Sequence, residues 1–287
     1  MSGVGWLFSC TLIAVALIIA SVSLNRWRLE RRTAAELRAL VATRPSEVLW
    51  WMSAALPEPV ARYRELAVGR RAPVRTLKLR HRGTFRTSPT AKPLPILGTQ
   101  LFTADPPGFV WCARVVLAPG VWLDARDMAV AGKGSMRVLL DATVPVVDAH
   151  GPELDQGSAL RLLAEMVWYP TALFDARYVI WTGIDATHAR ATLRFGELEV
   201  SAVFEFGADG LPVGMSAQRF TDQGELRPWG GTYHDFRVVS GMRLPFEAIV
   251  SWQLESGPYP YAHWLIEAVA YDDEALRTRP DTVGNRE

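Results

Sequence analysis

Residues able to exchange protons are clustered near the middle of the chain. Asp148, His150, Glu153 and Asp155 lie close together, and Glu165 follows on the next predicted helix. Carboxyl groups beside an imidazole can act as general acid and general base when burial separates their pKa values. The same residue types suit the start of a helix, where carboxylates accept hydrogen bonds from free N–H groups. Catalysis and helix capping both remain open, and the pattern favours capping.

The cluster leads into a helical pattern at residues 156–169. Apolar residues recur at helical spacing between Leu160 and Val167, Asp155 is a suitable N-cap, and Pro170 ends the pattern. This is the clearest helical pattern in the C-terminal half. A single helix among many strands is expected to pack on the concave face of a sheet.

Strand patterns lie on both sides of this helix. Residues 74–86 alternate between an apolar face and a cationic face, as in a half-buried strand. Similar runs occur at 100–103, 108–117, 121–130, 136–140, 178–181, 188–195, 199–206, 213–220, 232–239, 242–254 and 261–271. Pro and Gly between the runs are typical of hairpins. The sequence therefore predicts a mainly β (α+β) fold, a large curved antiparallel sheet or half-barrel of about a dozen strands.

A pocket between the helix and the concave face would be apolar. Trp111, Met166 and Trp168 are predicted to line it, since large apolar side chains suit an apolar ligand. Arg161 and Glu165, four residues apart on one helix face, are expected to pair at its mouth.

Common catalytic and metal-binding motifs are missing from the sequence. No two of the five histidines have the i, i+4 spacing of a helical zinc site, and Cys112 is the single cysteine after Cys10. The Gly132–Ser135 segment lacks the earlier glycine of a phosphate-binding loop, and there is no Gly-x-Ser-x-Gly motif. We therefore predict no metal, no cofactor and no assigned catalytic residue.

The N-terminal region is apolar and then basic. Residues 4–24 carry no charge, which predicts one membrane-spanning helix, and Arg26 begins the cations that follow it. We therefore divide the chain into a membrane anchor with a basic helix at 1–45 and a β-rich soluble domain at 46–287. The positive-inside rule then predicts a single-pass protein of the cell membrane whose soluble domain is cytoplasmic.

Cations continue beyond the predicted anchor. Residues 25–44 carry six cations against two carboxylates, and residues 60–92 carry ten against one. Anionic lipid headgroups are the predicted partner of these cations, and no motif indicates nucleic acid. A further helix is predicted at 46–56, where Trp50 and Trp51 could lie at the headgroup level or in the core.

Four motifs are spread along the chain after the predicted anchor. They are Leu56-Pro57-x-Pro59-Val60-x-Arg62-Tyr63, Phe102-Thr103-Ala104-x-Pro106-Pro107-Gly108-Phe109-Val110-Trp111, Gly151-Pro152-Glu153-x-Asp155-Gln156-Gly157 and Glu165-x-Val167-Trp168-Tyr169-Pro170. Together they resemble a bacterial family of uncharacterised proteins that have one N-terminal membrane helix. The resemblance spans most of the chain after the anchor and implies no established activity.

A second resemblance concerns shape. The strand, turn and Leu-Pro rhythm of residues 233–245 is similar to that of lipoprotein-localisation carriers and their relatives. Those proteins are curved antiparallel sheets whose concave face, plugged by helices, holds acyl chains. This resemblance implies an extracytoplasmic domain, contrary to the positive-inside rule.

Three functions therefore remain in competition. The leading hypothesis is a membrane-tethered binding module for a lipid or another apolar ligand in the concavity of the sheet. The second is a membrane-associated enzyme that uses Asp148, His150, Glu153 or Glu165. The third is a structural or partner-binding protein whose sheet is filled by its own side chains. The sequence leaves the oligomeric state open.

Overall fold

The computed structural model describes residues 3–42, 55–69 and 72–277, in which helices flank one long sheet. The predicted helix at 46–56, with Trp50 and Trp51, falls almost wholly outside the described residues. The α-helices are α1 (Gly3–Ala42), α2 (Glu58–Ala67), α3 (Pro152–Glu165) and α4 (Asp272–Arg277), and two 3-10 turns span Met166–Trp168 and Pro170–Phe174.

The strands form two meanders separated by α3. The first meander contains β1 (Thr76–Phe85), β2 (Leu94–Ala104), β3 (Pro107–Ala118), β4 (Val121–Val130), β5 (Lys133–Leu140) and β6 (Val144–His150). The second contains β7 (Val179–Gly183), β8 (His188–Phe195), β9 (Leu198–Phe206), β10 (Pro212–Phe220), β11 (Leu226–Val239), β12 (Met242–Leu254) and β13 (Gly257–Tyr271).

All 13 strands belong to one antiparallel sheet, in which β1 pairs with β13. The chain runs outward from β1 to the edge strand β6, crosses as α3, and restarts at the opposite edge strand β7. It then returns strand by strand to β13. Short hairpins between sequence neighbours explain why alternation and turn residues predicted this architecture, and the mainly β fold is confirmed.

The sheet curls around α3. This helix contacts β4, β5 and β6 near one edge and β8, β9 and β10 near the other. The two halves also meet directly, since a side chain at Gly132 would lie 2.8 Å from the Phe195 carbonyl oxygen. Gly132 has φ 83°, a conformation that glycine adopts without strain. The curled half-barrel thus has an inner face that carries α3 and an outer face that carries α1.

The main core fills the inner face. Phe102, Phe109 and Trp111 point inward from β2 and β3, whereas their sequence neighbours Leu101 and Val110 point outward, as the period of two requires. Leu160 and Leu163 of α3 are fully covered. Each such apolar side chain stabilises the fold by about 1.5–3 kcal/mol.

The helix after the acidic cluster begins earlier than its apolar spacing predicts. Gly151, with φ 129°, is the N-cap residue and Pro152 is the first helical residue. Proline is favoured there because its missing N–H would have no helical partner. Asp155 is therefore inside the first turn rather than at the N-cap, and its N–H donates to the Gly151 carbonyl (2.8 Å).

The predicted single-pass location is wrong. Spanning a bilayer takes about 20 consecutive, predominantly apolar residues in one helix. Within residues 3–42, 55–69 and 72–277, no helix combines the required length with the required apolar character. The anchor predicted at residues 4–24 is corrected accordingly.

Candidate functional site

A buried network of charged and amide side chains lies between α3 and the inner face. Arg161 donates from Nε to Glu165 Oε1 (2.9 Å), from Nη1 to Asp127 Oδ2 (2.8 Å) and from Nη2 to Gln100 Oε1 (3.1 Å). Gln100 Nε2 donates to Glu165 Oε2 (2.7 Å), which closes the ring. We call these four residues the inner network. One arginine thus holds two carboxylates in a site largely shielded from water.

Aromatic rings surround the inner network. The Arg161 guanidinium lies 4.6 Å from the centre of the Trp111 ring and 5.0 Å from that of the Phe109 ring. At these distances cation–π interactions stabilise the charged guanidinium. Trp111 Nε1 donates to His81 Nε2 (2.8 Å). Burial, assisted by the positive charge of Arg161, lowers the pKa of His81 to about 3, so this histidine is neutral at physiological pH.

The predicted pocket residues occupy the packed inner face. Trp111, Arg161 and Glu165 are brought together as described above, and Met166 is fully buried. Trp168 lies further along, where its Nε1 donates to the Pro245 carbonyl (3.0 Å). Neither of the two cavities described below has Trp111, Met166 or Trp168 in its wall. Their assignment as ligand contacts stays a prediction.

The predicted polar cluster is dispersed. Asp148 pairs with Arg137 (2.9 Å) at the surface, and His150 and Glu153 are exposed. Glu153 and Glu165 are 12 residues apart in α3, which places them about 18 Å from each other along the helix. These groups therefore do not share a reaction centre.

Asp155 has a structural contact instead. Its Oδ1 accepts a hydrogen bond from the Gly134 N–H (2.7 Å), and its Oδ2 accepts one from Lys133 Nζ (2.9 Å). The carboxylate thus joins α3 to the start of β5. It accepts from one backbone N–H, but that N–H belongs to β5 and not to its own helix.

The outer face carries a second, smaller apolar contact beneath α1. Leu37, Leu40 and Val41 of α1 pack against outward-pointing side chains of β2, β3 and β4, among them Leu101 and Val110. A charged contact supplements this packing: Arg126 of β4 lies 3.5 Å from Glu36 of α1. These contacts with the sheet come from the C-terminal part of α1, residues 36–41.

A cleft of about 790 Å³ opens between α1 and the outer face. We call it the outer cleft. Its walls are α1, the outer faces of β1 to β5 and the end of α4, and most of the contacts that it offers are aliphatic. The aliphatic lining residues are Leu29, Ala34, Leu37, Val41, Ala42, Leu101, Val110, Ala113, Ala125, Leu139, Ala275 and Leu276.

The rim of the outer cleft is predominantly cationic. The charged lining residues are Arg26, Arg38, Lys78, Arg114, Arg126 and Arg137 against Glu30 and Asp124. Arg114 is held by a 2.9 Å ion pair to Asp124, whose other oxygen accepts from Trp122 Nε1 (2.8 Å). Burial raises the pKa of the Cys112 thiol in the wall to about 12, so it is neutral and serves as a small apolar group.

Sequence patterns contained a partial signal for the outer cleft. The alternation in β2 and β3 leaves apolar residues on both faces, and a strand buried on both faces needs a cover on each. Leu37 and Val41, one helical turn apart, supply that cover. The outer cleft lies between these two residues and β5, and its width depends on the tilt of α1. No local sequence pattern specifies that tilt.

Comparisons with known proteins identify similar sequences and shapes. A family of unknown function (DUF6544) matches residues 51–264. No curated protein matches the sequence. Among solved structures, a DUF1329 family protein from Desulfovibrio piger is 9% identical, with a TM-score of 0.41 over 70% of this chain and 87% of that one.

Two further structures are similar in shape. A putative outer membrane lipoprotein-sorting protein domain from Vibrio parahaemolyticus is 9% identical, with a TM-score of 0.39 over 75% of this chain and 90% of that one. A LolA superfamily protein from Nitrosomonas europaea is 10% identical, with a TM-score of 0.32 over 77% and 95%. The predicted resemblance to a family of uncharacterised proteins is confirmed by the DUF6544 match.

Proposed function

Because the chain belongs to the DUF6544 family, whose function is unknown, we propose its function from the outer cleft: it binds an apolar ligand with a long chain and an anionic head. The observation that supports this proposal is an aliphatic cleft of about 790 Å³ with a cationic rim. Ligand sites commonly enclose about 300–1,000 Å³ and combine apolar walls with a few polar groups. The chain of the ligand lies along Leu101, Val110 and Leu139, and its head lies at the rim.

The outer cleft is better suited to a ligand than the inner face. Side chains of α3 and of the surrounding strands already fill the inner face around Leu160 and Leu163. Entry of a ligand there would separate Arg161 from its carboxylate partners, which is costly for buried charges. The acid–base alternative has less support, since Asp148, His150, Glu153 and Glu165 are dispersed.

Narrowing the outer cleft is expected to weaken binding. The probe is 11-(dansylamino)undecanoic acid, which joins a long chain to a carboxylate and fluoresces more strongly in apolar surroundings. In the Ala34→Trp variant a large ring enters the cleft from α1, so we expect the affinity to fall about tenfold or more, a loss of about 1.4 kcal/mol. Fluorescence titration of the purified full chain measures the change.

The matched control is Ala35→Trp, which adds the same ring to an exposed position on the next residue of α1. Its affinity should stay within about twofold of the wild type, since a difference of that size is under about 0.5 kcal/mol. Palmitate should displace the probe better than hexadecanol does, because the cations favour a carboxylate. Equal loss in both variants, or no binding by the wild type, would contradict the proposal.

A further inference from the structure

The sheet is open between β9 and β10. These strands pair from Phe206–Pro212 as far as Val203–Ser216, where the ladder stops. β9 nevertheless continues along β8 to Leu198, and β10 continues along β11 to Phe220. Residues 198–202 and 217–220 therefore form two facing strand edges without mutual pairing. We call this opening the β9–β10 slot.

The backbone groups that face the slot follow from the alternation of antiparallel hydrogen bonds. The Phe206 N–H donates to Thr187 on the β8 side (2.8 Å). Even-numbered residues of β9 therefore direct their N–H and C=O groups toward β8, and odd-numbered residues direct theirs toward β10. By this alternation, Glu199 and Ser201 present their N–H and C=O groups to the slot.

On the opposite edge a side chain already takes the place of a peptide group. Gln156 Nε2 donates to the Gln218 carbonyl (2.7 Å), and Gln156 Oε1 accepts from the Phe220 N–H (3.3 Å). A carboxamide has the donor and acceptor of a backbone peptide, so Gln156 imitates one unit of a neighbouring strand. Helix α3 approaches β10 this closely because position 157 is glycine: a side chain there would lie 2.9 Å from Arg219 Nε.

The slot is also an open cavity. It encloses about 530 Å³, with Gln156 and Leu160 of α3 as its floor. Short side chains border it on both edges: Ser201 and Ala202 on β9, and Ser216 and Ala217 on β10. Arg190, Glu199 and Gln218 also line the cavity with longer side chains.

We propose that the β9–β10 slot binds an extended peptide segment of a partner protein, which adds to the free edge of β9. Unpaired N–H and C=O groups in a row are the groups that a peptide strand recognises, and strand addition to such edges is a general mode of peptide binding. The Gln156 contact supports this occupant, because it is an amide already bound to the β10 edge. The slot and the outer cleft have no lining residue in common, so this interaction is independent of the proposed ligand.

Amide hydrogen exchange of the full chain tests the open edge. The Ser201 N–H should exchange at least about a hundredfold faster than the Ala202 N–H, since the slot is open to water whereas β8 pairs with Ala202. Equally slow exchange at Ser201 would show that the edge is closed and would overturn the proposal.

Peptide selection tests the occupant. Nonapeptides from a random library displayed on phage are selected on the immobilised full chain, and their affinities are measured by fluorescence polarisation. Ser201→Pro removes the N–H that faces the slot, and proline is tolerated at such unpaired strand positions. We expect selected peptides to lose about tenfold or more in affinity.

Ser201→Ala is the matched control, because it removes the hydroxyl and keeps the N–H, and binding should persist. If Ser201→Pro does not fold, N-methylation of alternate peptide amides makes the same test from the ligand side. The proposal would be overturned if the selected peptides bound Ser201→Pro as tightly as the wild type, and if their N-methylated forms bound the wild type as tightly as the unmodified peptides. A selection that yields no binder would overturn it as well.

Discussion

Replacing Arg161 with methionine is expected to lower the free energy of unfolding by about 3–5 kcal/mol, because the substitution leaves two buried carboxylates without their cation. Glu165 and Asp127 are almost fully covered, and each accepts a charge-assisted hydrogen bond from this guanidinium. Burial already raises the pKa of Glu165, against the lowering influence of Arg161. Urea unfolding of the purified variant measures the loss.

A surface ion pair supplies the matched control for the Arg161 variant. Arg194 and Glu199 lie 2.9 Å apart, but their side chains are 53% and 58% exposed. Arg194→Met should therefore cost less than about 1 kcal/mol. Adding Asp127→Leu and Glu165→Leu to Arg161→Met should recover part of the lost stability, since no charge is then left unpaired. A loss below about 1 kcal/mol for Arg161→Met alone would mean that the inner network is hydrated.

The sequence predicts the strands well because their determinants are local. Alternation assigns each residue of β3 to a face, so Trp111 is inner and Val110 outer, as the structure has them. Turn residues separate the strands: Gly210 and Gly241 both adopt positive φ at hairpin turns. These signals extend over a few residues each. A meander joins neighbouring strands by short turns, so such local signals are nearly enough to predict it.

The site depends on contacts between distant residues and was predictable only in part. Spacing within α3 predicts the pairing of Arg161 with Glu165, which the structure contains. The other partners, Gln100 and Asp127, are 61 and 34 residues away from Arg161, and no local pattern connects them. Their convergence follows from the curl of the sheet around α3.

The outer cleft and the β9–β10 slot were missed for different reasons. The cleft depends on the packing of α1 against the sheet, which is a tertiary contact. The slot depends on where the β9–β10 ladder stops, at the Val203–Ser216 pair. A strand pattern in sequence indicates which residues are extended but not where two strands separate.

Acidification from pH 7 to pH 4 is expected to remove up to about 3 kcal/mol of stability through His81 alone. Its pKa is lowered to about 3 in the folded chain, against 6.5 ordinarily. Above pH 6.5, His81 is neutral in both the folded and the unfolded chain, so its contribution to stability is fully present. The contribution is lost as the pH falls from 6.5 toward 3, because the unfolded chain binds a proton that the folded chain excludes.

His81→Gln should flatten this part of the pH profile, since glutamine can still accept the hydrogen bond from Trp111 Nε1 but does not titrate. Ile96→Val is the matched control: Ile96 is buried on the neighbouring strand, and its truncation costs stability without removing a titratable group. Thermal or urea unfolding at pH 4, 5, 6 and 7 provides the comparison. If the wild type and His81→Gln lose stability in parallel on acidification, His81 is protonated within the fold, and water must then reach the aromatic side of the inner network.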